Sequence, residues 1–427
     1  EAWQKIAGEN PFPSVCGRVC FHPCEQVCNR RQLDEPIAIR QLERSLADRA
    51  INESWPLPLK QVPAKNKTAA VIGAGPAGLA AAYFLAGLGY GCEIFEAQPE
   101  PGGLLRWGIP TYRLPVDILA AEVARIRDLG VAVNCSSSMR ASHLQALQSR
   151  YDALIITCGY GRSIGLNISG AEHAVDGLRL LNEIRHRPPA QQKGRVAVIG
   201  GGNTAIDLAR SLIRLGATPI IVYRRRRRDM PAFEPEIIRA LEEGVELREL
   251  EAPLDIRPEP QNGRPAYRLT LQKMSPTRER IHGHRRVIPL EGQPGTLQVD
   301  KVITAIGADL ADNWIALDEK ADNQLQMSHC HLVNAHRPVI LAGDITTPVK
   351  SVSDAVASGK QAAMALDILN DQNIQSITAE MAACQMGSGP ALSMSDYMEK
   401  RYGPRIEEAR GSSVRAPALV EFDQINL

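Results

Sequence analysis

The order of apolar and polar positions divides the chain into a few strong signals. Residues 68–92, TAAVIGAGPAGLAAAYFLAGLGYGC, carry no charge. Length alone would let such a run span a bilayer, but its early glycines and Pro76 fit a buried strand turning into a buried helix. The pattern predicts a strand TAAVIGAG, a helix over 77–88 and a second strand CEIFEA, which together make a βαβ unit. It recurs as GRVAVIGGG, a helix from 204 to about 215, and the strand PIIVYRR, so one nucleotide-binding unit occurs twice. Residues 253–300 have the pattern of strands with polar turns, VDKVITAIG and RPVILAGD of short buried strands, and 353–369 of a helix. Pro, Ser and Gly breaks mark residues 371–427, apart from a charged helical stretch over 397–410, and predict an extension or linker outside the core.

Composition narrows the function classes. A chain of 427 residues exceeds one ordinary core and suggests two or three domains. With 49 Lys+Arg against 48 Asp+Glu, the net charge of +1 gives no reason to propose nucleic acid or an anionic membrane as partner. Four of the nine cysteines lie in the first 28 residues and the others are isolated, which favours a local metal site over a disulfide framework. That helix-rich segment closes at the extended Trp55-Pro56-Leu57-Pro58-Leu59. No secretory signal is visible and no membrane span is expected, so the cytoplasm is the expected location.

The two glycine turns carry the chemistry. In Gly73-Ala74-Gly75-Pro76-Ala77-Gly78 the first glycine permits the tight turn, the second lets backbone approach a pyrophosphate, and the third allows close helix–strand packing. Unpaired N–H groups at the helix start face the phosphates. Glu96 closes the second strand, where an acid binds both ribose hydroxyls. The second turn, Gly200-Gly201-Gly202-Asn203-Thr204-Ala205, ends its second strand on Tyr223 and then Arg224, Arg225, Arg226, Arg227 and Arg228. An acid there would repel a 2′-phosphate, whereas guanidinium groups grip it, so NADP(H) is expected over NAD(H). The plainer reading of the five arginines is a solvated loop. One acidic-ended site for FAD and one basic-ended site for NADP(H) together suggest a hydride relay. No Cys-x-x-Cys occurs, which counts against flavin-dependent disulfide reduction; a non-catalytic dinucleotide-binding scaffold is the third reading.

The succession VIGAGPAGLAAA, FEAQPEPGGLLRWGIPTYRLP, VAVIGGGNTAIDLAR, VYRRRRRDMPA, ITAIGAD and LAGDITTPVKSVSDAVASGKQAA behind a cysteine-rich segment resembles the small (beta) subunit of glutamate synthase and its relatives. These include the N-terminal half of dihydropyrimidine dehydrogenase, the large subunit of NADH-dependent ferredoxin:NADP oxidoreductase, and NAD(P)H-oxidising partners of dissimilatory sulfite reductase. The resemblance covers roughly residues 10–370. It implies an α/β flavoprotein with two Rossmann-like domains, the NAD(P) domain inserted in the FAD domain, behind a helical iron–sulfur domain. The expected boundaries are 1–60 for the cluster domain, 61–180 and 301–370 for the two parts of the FAD domain, and 181–300 for the NAD(P) domain. Residues 371–427 are left as extension. By the same resemblance Gly102, Gly103, Leu104, Gly108, Ile109, Pro110 and Arg113 form a flavin-contacting loop. Thr157 and Gly159 flank Cys158, which replaces the family's Thr, and Gly343 and Asp344 close the flavin site. The resemblance implies that electrons pass from NAD(P)H through FAD to 4Fe–4S clusters and on to an acceptor protein or large catalytic subunit.

In CGRVCFHPCEQVC the cysteines Cys16, Cys20, Cys24 and Cys28 stand at four-residue intervals. On one helix they would span ~18 Å, too far to close on a single cube, and Pro23 interrupts any such helix. Zinc would ask for two separated Cys pairs, and no second pair lies nearby. The resemblance implies two cubes shared with an upstream cysteine motif: Cys20 and Cys24 on one, Cys28 on another, Cys16 left open. The family sometimes adds a Gln or Glu from the next helix, and in IAIRQLERSLAD that position is Glu43, for which a surface charge is the plainer reading. The closing VEFDQINL is similar to a lead into a ferredoxin-type domain, so the sequence is expected to be trimmed at both ends.

Overall fold

A computed structural model describes residues 1–403 apart from 58–61, 188–190, 192, 261–263, 282–283, 293, 311–323 and 348. Four helices lead: α1 (Ala2–Glu9), α2 (Pro13–Val19), α3 (Pro23–Gln26) and α4 (Ile39–Asn52). Proline opens both α2 and α3, where its missing N–H costs nothing. Pro23 thereby starts a new helix between Cys20 and Cys24.

The larger sheet has seven strands in the order Leu325–Gln326, Cys330–Asn334, Val339–Ala342, Ala153–Ile156, Thr68–Ile72, Gly91–Phe95, Ala132–Asn134. Its last five strands are parallel and the first two antiparallel. The central strand Thr68–Ile72 turns into α5 (Pro76–Gly87), followed by α6 (Leu104–Trp107), α7 (Val116–Arg127) and α8 (Leu144–Arg150). Because α5 is buried on every side, its sequence shows no polar stripe, which accounts for the unbroken apolar run. Among the described residues no helix is long and apolar enough to cross a membrane.

The segment between Ile156 and Leu325 builds a second, five-stranded parallel sheet in the order Val175–Asp176, Lys301–Thr304, Arg195–Ile199, Thr218–Tyr223, Glu246–Glu249. Its helices are α9 (Gly177–His186), α10 (Asn203–Arg214) and α11 (Glu234–Glu242), and an antiparallel sheet built on Glu251–Pro258 and Tyr267–Ile281 packs beside it. One Rossmann-like domain is thus inserted in another. The chain then returns through α12 (Val352–Asp371), which packs along α5.

The last helices depart from expectation. α13 (Ile374–Ala382) and α14 (Met394–Tyr402) set Ile377, Met381, Cys384, Met394 and Tyr397 into the same core as α5 and α12. Residues 371–403 are therefore not a linker. The cause is Asp367, 0% exposed in α12: it holds Lys65 (2.6 Å) and accepts the hydroxyls of Tyr90 (3.0 Å) and Tyr397 (2.7 Å). A buried carboxylate must be supplied with donors, and α14 brings two, Tyr397 and Arg401. Ser393 caps α14, so that helix begins earlier than predicted; the rest of the expected 397–410 helix, and VEFDQINL, lie outside the described residues.

Candidate functional site

Both predicted glycine turns sit at the C-terminal edge of a central strand and cap the next helix: Gly75 caps α5 and Gly202 caps α10, neither with a side-chain cap. At the first turn, a Cβ on Gly73 would meet Thr157 O at 2.7 Å, and one on Gly78 would meet Gly73 O at 2.0 Å. Gly75 differs. A Cβ there meets only Gly103 Cα, at 4.0 Å, and one on Gly202 meets nothing within 4 Å. The fold itself demands the outer glycine positions, while the middle ones are open cradles above a helix N-terminus, which fits a pyrophosphate.

Around the first cradle the structure gathers most of the residues singled out from sequence. Gly102 N donates to Ala74 O at 2.8 Å, which seats Gly102 and Gly103 against the turn. Gly343 N donates to Ser358 Oγ at 2.6 Å, and a Cβ on Gly343 would lie 2.9 Å from that of Ala77. Glu96, buried at the strand end, accepts the N–H of Ala74 (2.7 Å) and of Gln98 (2.8 Å), one per oxygen, so it braces the turn and keeps lone pairs free. Thr157 Oγ1 lies 3.0 Å from the carbonyls of both Ile72 and Gly73, so the hydroxyl serves the turn. Gly159 has open space at its Cβ position and follows Cys158. Burial raises the Asp344 carboxyl, with Lys350 opposing. Lys350 Nζ donates to the carbonyls of Asp344 and Thr347 and stands 3.2 Å from Tyr160 Oη, tying the closing loop to the 157–160 loop. Lys350 lies inside a quoted motif, but its partners are spatial and nothing in its spacing marks them.

The 104–114 loop is only partly as expected. Leu104 is 46% exposed, and Gly108 ends α6. The Ile109 carbonyl accepts Arg185. Arg113, expected on the flavin, turns its Nη1 to Asp207 of α10, 2.8 Å from each carboxylate oxygen. A carboxylate buried as deeply as Asp207 needs a cation beside it, and Arg113 is that cation.

At the second turn, Gly200 packs on Ala305 O, Ala205 is buried beneath, and Asn203 Oδ1 accepts Phe233 N at 3.0 Å. Thr204 lies in the first turn of α10. Of the arginines, Arg225 Nε donates to Arg285 O (2.9 Å) and Arg227 pairs with Glu234. Arg224 is exposed directly after the strand end.

The cysteine row spreads over α2, α3 and their ends. Cys16 is buried in the main core beside Phe12 and Val15, and burial pushes its thiol well up. Cys20 Sγ accepts His22 N at 3.4 Å and lies 4.0 Å from Ser353 Oγ in the first turn of α12. Cys24 is exposed, its thiol raised by burial and then by Cys20. The backbone of Ile37 and then of Arg30 lowers the Cys28 thiol. Among the described residues no three Cys, His, Asp or Glu side chains are placed to hold a metal ion. Glu43 is no free surface charge: it accepts Asn10 Nδ2 at 2.8 Å and burial pushes it up to about 6. Sequence reasoning missed Glu122 of α7, which accepts the N–H groups of Ser14 (2.7 Å) and Val15 (3.1 Å) and anchors α2; burial pushes it up to about 8.

Two open pyrophosphate cradles on two Rossmann-like domains, with a cysteine-bearing helical segment packed against one of them, define a two-dinucleotide oxidoreductase. Residues 67–359 match the pyridine nucleotide-disulphide oxidoreductase family, and residues 1–55 match dihydropyrimidine dehydrogenase domain II, 4Fe-4S cluster. The chain belongs to that oxidoreductase family, whose cofactors are FAD and NAD(P), with a 4Fe–4S domain at the N-terminus. It is 37% identical to the NADP(+)-dependent formate dehydrogenase subunit beta of Moorella thermoacetica, over 88% of this chain and 57% of that one. It is 36% identical to the NADPH-Fe(3+) oxidoreductase subunit beta of Geobacter sulfurreducens, over 72% of this chain and 47% of that one. The chain thus spans about half the length of these curated relatives. It is 32% identical to the NAD-dependent dihydropyrimidine dehydrogenase subunit PreT of Salmonella typhimurium, over 86% of this chain and 84% of that one. The solved structure of the Mycobacterium tuberculosis oxidoreductase FprA shares the fold, at TM-score 0.57 and 16% identity, over 79% of this chain and 89% of that one.

Proposed function

We propose that the chain is the electron-input part of an NAD(P)H:acceptor oxidoreductase. FAD at the first cradle would supply the conversion of a hydride's electron pair into single electrons that 4Fe–4S clusters take up one at a time. The glycine turns at 73–78 and 200–205 bind and orient the two dinucleotides. Glu96 holds the first turn and offers its remaining lone pairs to a ribose. Arg224, exposed at the strand end, offers a fork to a 2′-phosphate, which makes NADPH the favoured donor. Cys20, Cys24 and Cys28 are the proposed cluster ligands; buried Cys16 and half-buried Glu43 tune the segment's surroundings. Electrons leave for a partner protein or subunit, in keeping with the subunit names of the relatives.

One observation carries this reading: Cys20 Sγ lies 4.0 Å from Ser353 at the start of α12, directly after the loop that closes the first cradle. That brings a proposed ligand to the edge of the flavin domain. Disulfide reduction lacks its cysteine pair, since no Cys-x-x-Cys exists in the sequence. The test is anaerobic purification of the full protein with its associated subunits, followed by iron and flavin analysis and comparison of NADPH with NADH as reductant. Yellow-brown, iron-containing protein bleached faster by NADPH is expected. Colourless, iron-free material would overturn the proposal, and bound flavin inert to both nucleotides would make the chain a scaffold.

A further inference from the structure

Between the two domains lies an ionic cluster that neither cradle needs. Arg113 sits on the 110–114 loop of the flavin side. Its Nη1 is 2.8 Å from both Asp207 oxygens and its Nε is 3.7 Å from Glu236 Oε2, with side chains 10%, 5% and 11% exposed. Arg210, one turn beyond Asp207 on α10, pairs with the same Glu236 and binds Glu243 through Nε (3.0 Å) and Nη2 (2.6 Å). Arg214 binds Glu243 as well and lies 3.9 Å over the ring of Tyr112, the neighbour of Arg113. From α9, Arg185 donates to the carbonyls of Ile109 and Leu114, at the two ends of the same loop. Two helices of the inserted domain therefore hold one loop of the other domain.

A buried ion pair adds little stability over apolar packing of equal volume, because desolvation offsets the attraction. What it does add is direction: a forked guanidinium accepts one orientation of its carboxylate. α10 is a single rod that starts at the Gly202 cradle, with Asp207 just past its first turn. We propose that Arg113 and Asp207 are positioning residues that latch the inserted domain in the orientation bringing nicotinamide to flavin. Its kinetic consequence rests on the function proposed above; the latch itself does not.

The test uses the full chain with cofactors bound, as Arg113→Gln, the conservative Arg113→Lys, and the isosteric Asp207→Asn in case the first variant folds poorly. The limiting rate of flavin bleaching by NADPH should fall by about tenfold to a hundredfold, since small misplacements are costly to transfer. Half-saturating NADPH and flavin content should stay within about twofold, and Arg113→Lys should recover part of the rate. In the same proteins with no nicotinamide added, hydrogen exchange should accelerate together in peptides covering 110–114 and 203–214. Bleaching at the parent rate, or exchange that changes in only one of these peptides, would overturn the latch. If the parent protein itself fails to bleach, the proposed function falls and the exchange result alone decides the latch.

Discussion

A methyl group added at Gly75 and one added at Gly78 should have opposite consequences. At Gly78 it would press to 2.0 Å from Gly73 O and 2.5 Å from Thr157 Oγ1, so Gly78→Ala should lower the melting temperature markedly. At Gly75 the backbone is extended, with φ −74° and ψ 179°, and the nearest atom is 4.0 Å away, so the fold tolerates alanine. The methyl would instead occupy the space for a pyrophosphate. Compared as flavin-free proteins, Gly75→Ala should keep the parent melting temperature within about 2 °C, as surface substitutions do, and as isolated it should lose most of its flavin, read as the ratio of flavin to protein absorbance. Flavin retained at the parent level would mean that the cradle serves something else. The glycine turns were legible in sequence because their spacing and the strand and helix around them are local. Arg113 was not, because its counter-charge Asp207 is 94 residues away, and no local pattern tells which of two loops an arginine will face.

At the scale of elements, α10 and the strand before Arg224 do different work on the same nucleotide. Arg224→Ala should raise KM for NADPH by roughly tenfold while leaving NADH nearly unchanged, since one forked contact to phosphate is lost; equal effects on both nucleotides would argue for a solvated loop. The tie between α10 and α11 sets a pH dependence. A hydrogen bond from Arg214 holds Glu243 down to about 2, helped by Arg210. A depressed carboxyl stabilises the fold above its ordinary value of 4.5, and that contribution is lost as pH falls from there toward 2. Glu243→Gln should therefore flatten the fall in melting temperature over that window, with little change in slope above pH 5, a bound set by ordinary carboxylate titration near pH ~4.3. Sequence periodicity located α5 and α10 to within a residue or two, and the structure moved their starts to Pro76 and Asn203 because glycine caps them. The break at Pro23 was equally legible, being a property of one residue's missing N–H.

Across the whole molecule, the first and last described helices are fastened to one core. α12 carries Asp367, to which Lys65 from the start of the flavin domain and Tyr397 from α14 both reach. Tyr397→Phe would leave that buried carboxylate one donor short and should cost about 1–2 kcal/mol in denaturant unfolding. A change near zero would mean that Arg401, 3.1 Å away, satisfies the carboxylate by itself. Residues 1–55 are fastened likewise: Glu122 clamps α2, and Lys360 Nζ lies 2.8 Å from Glu9. The amino-acid sequence alone determined the two nucleotide-binding units, their unlike charge at the ribose end and the cysteine row, because each depends on neighbours within a few turns of chain. Tertiary structure alone decided that residues 371–403 join the core, that Cys20 lies beside α12, and that Arg113 faces the other domain. Those outcomes follow from burying charges and packing faces between segments tens to hundreds of residues apart, and such pairings leave no periodic trace along the chain.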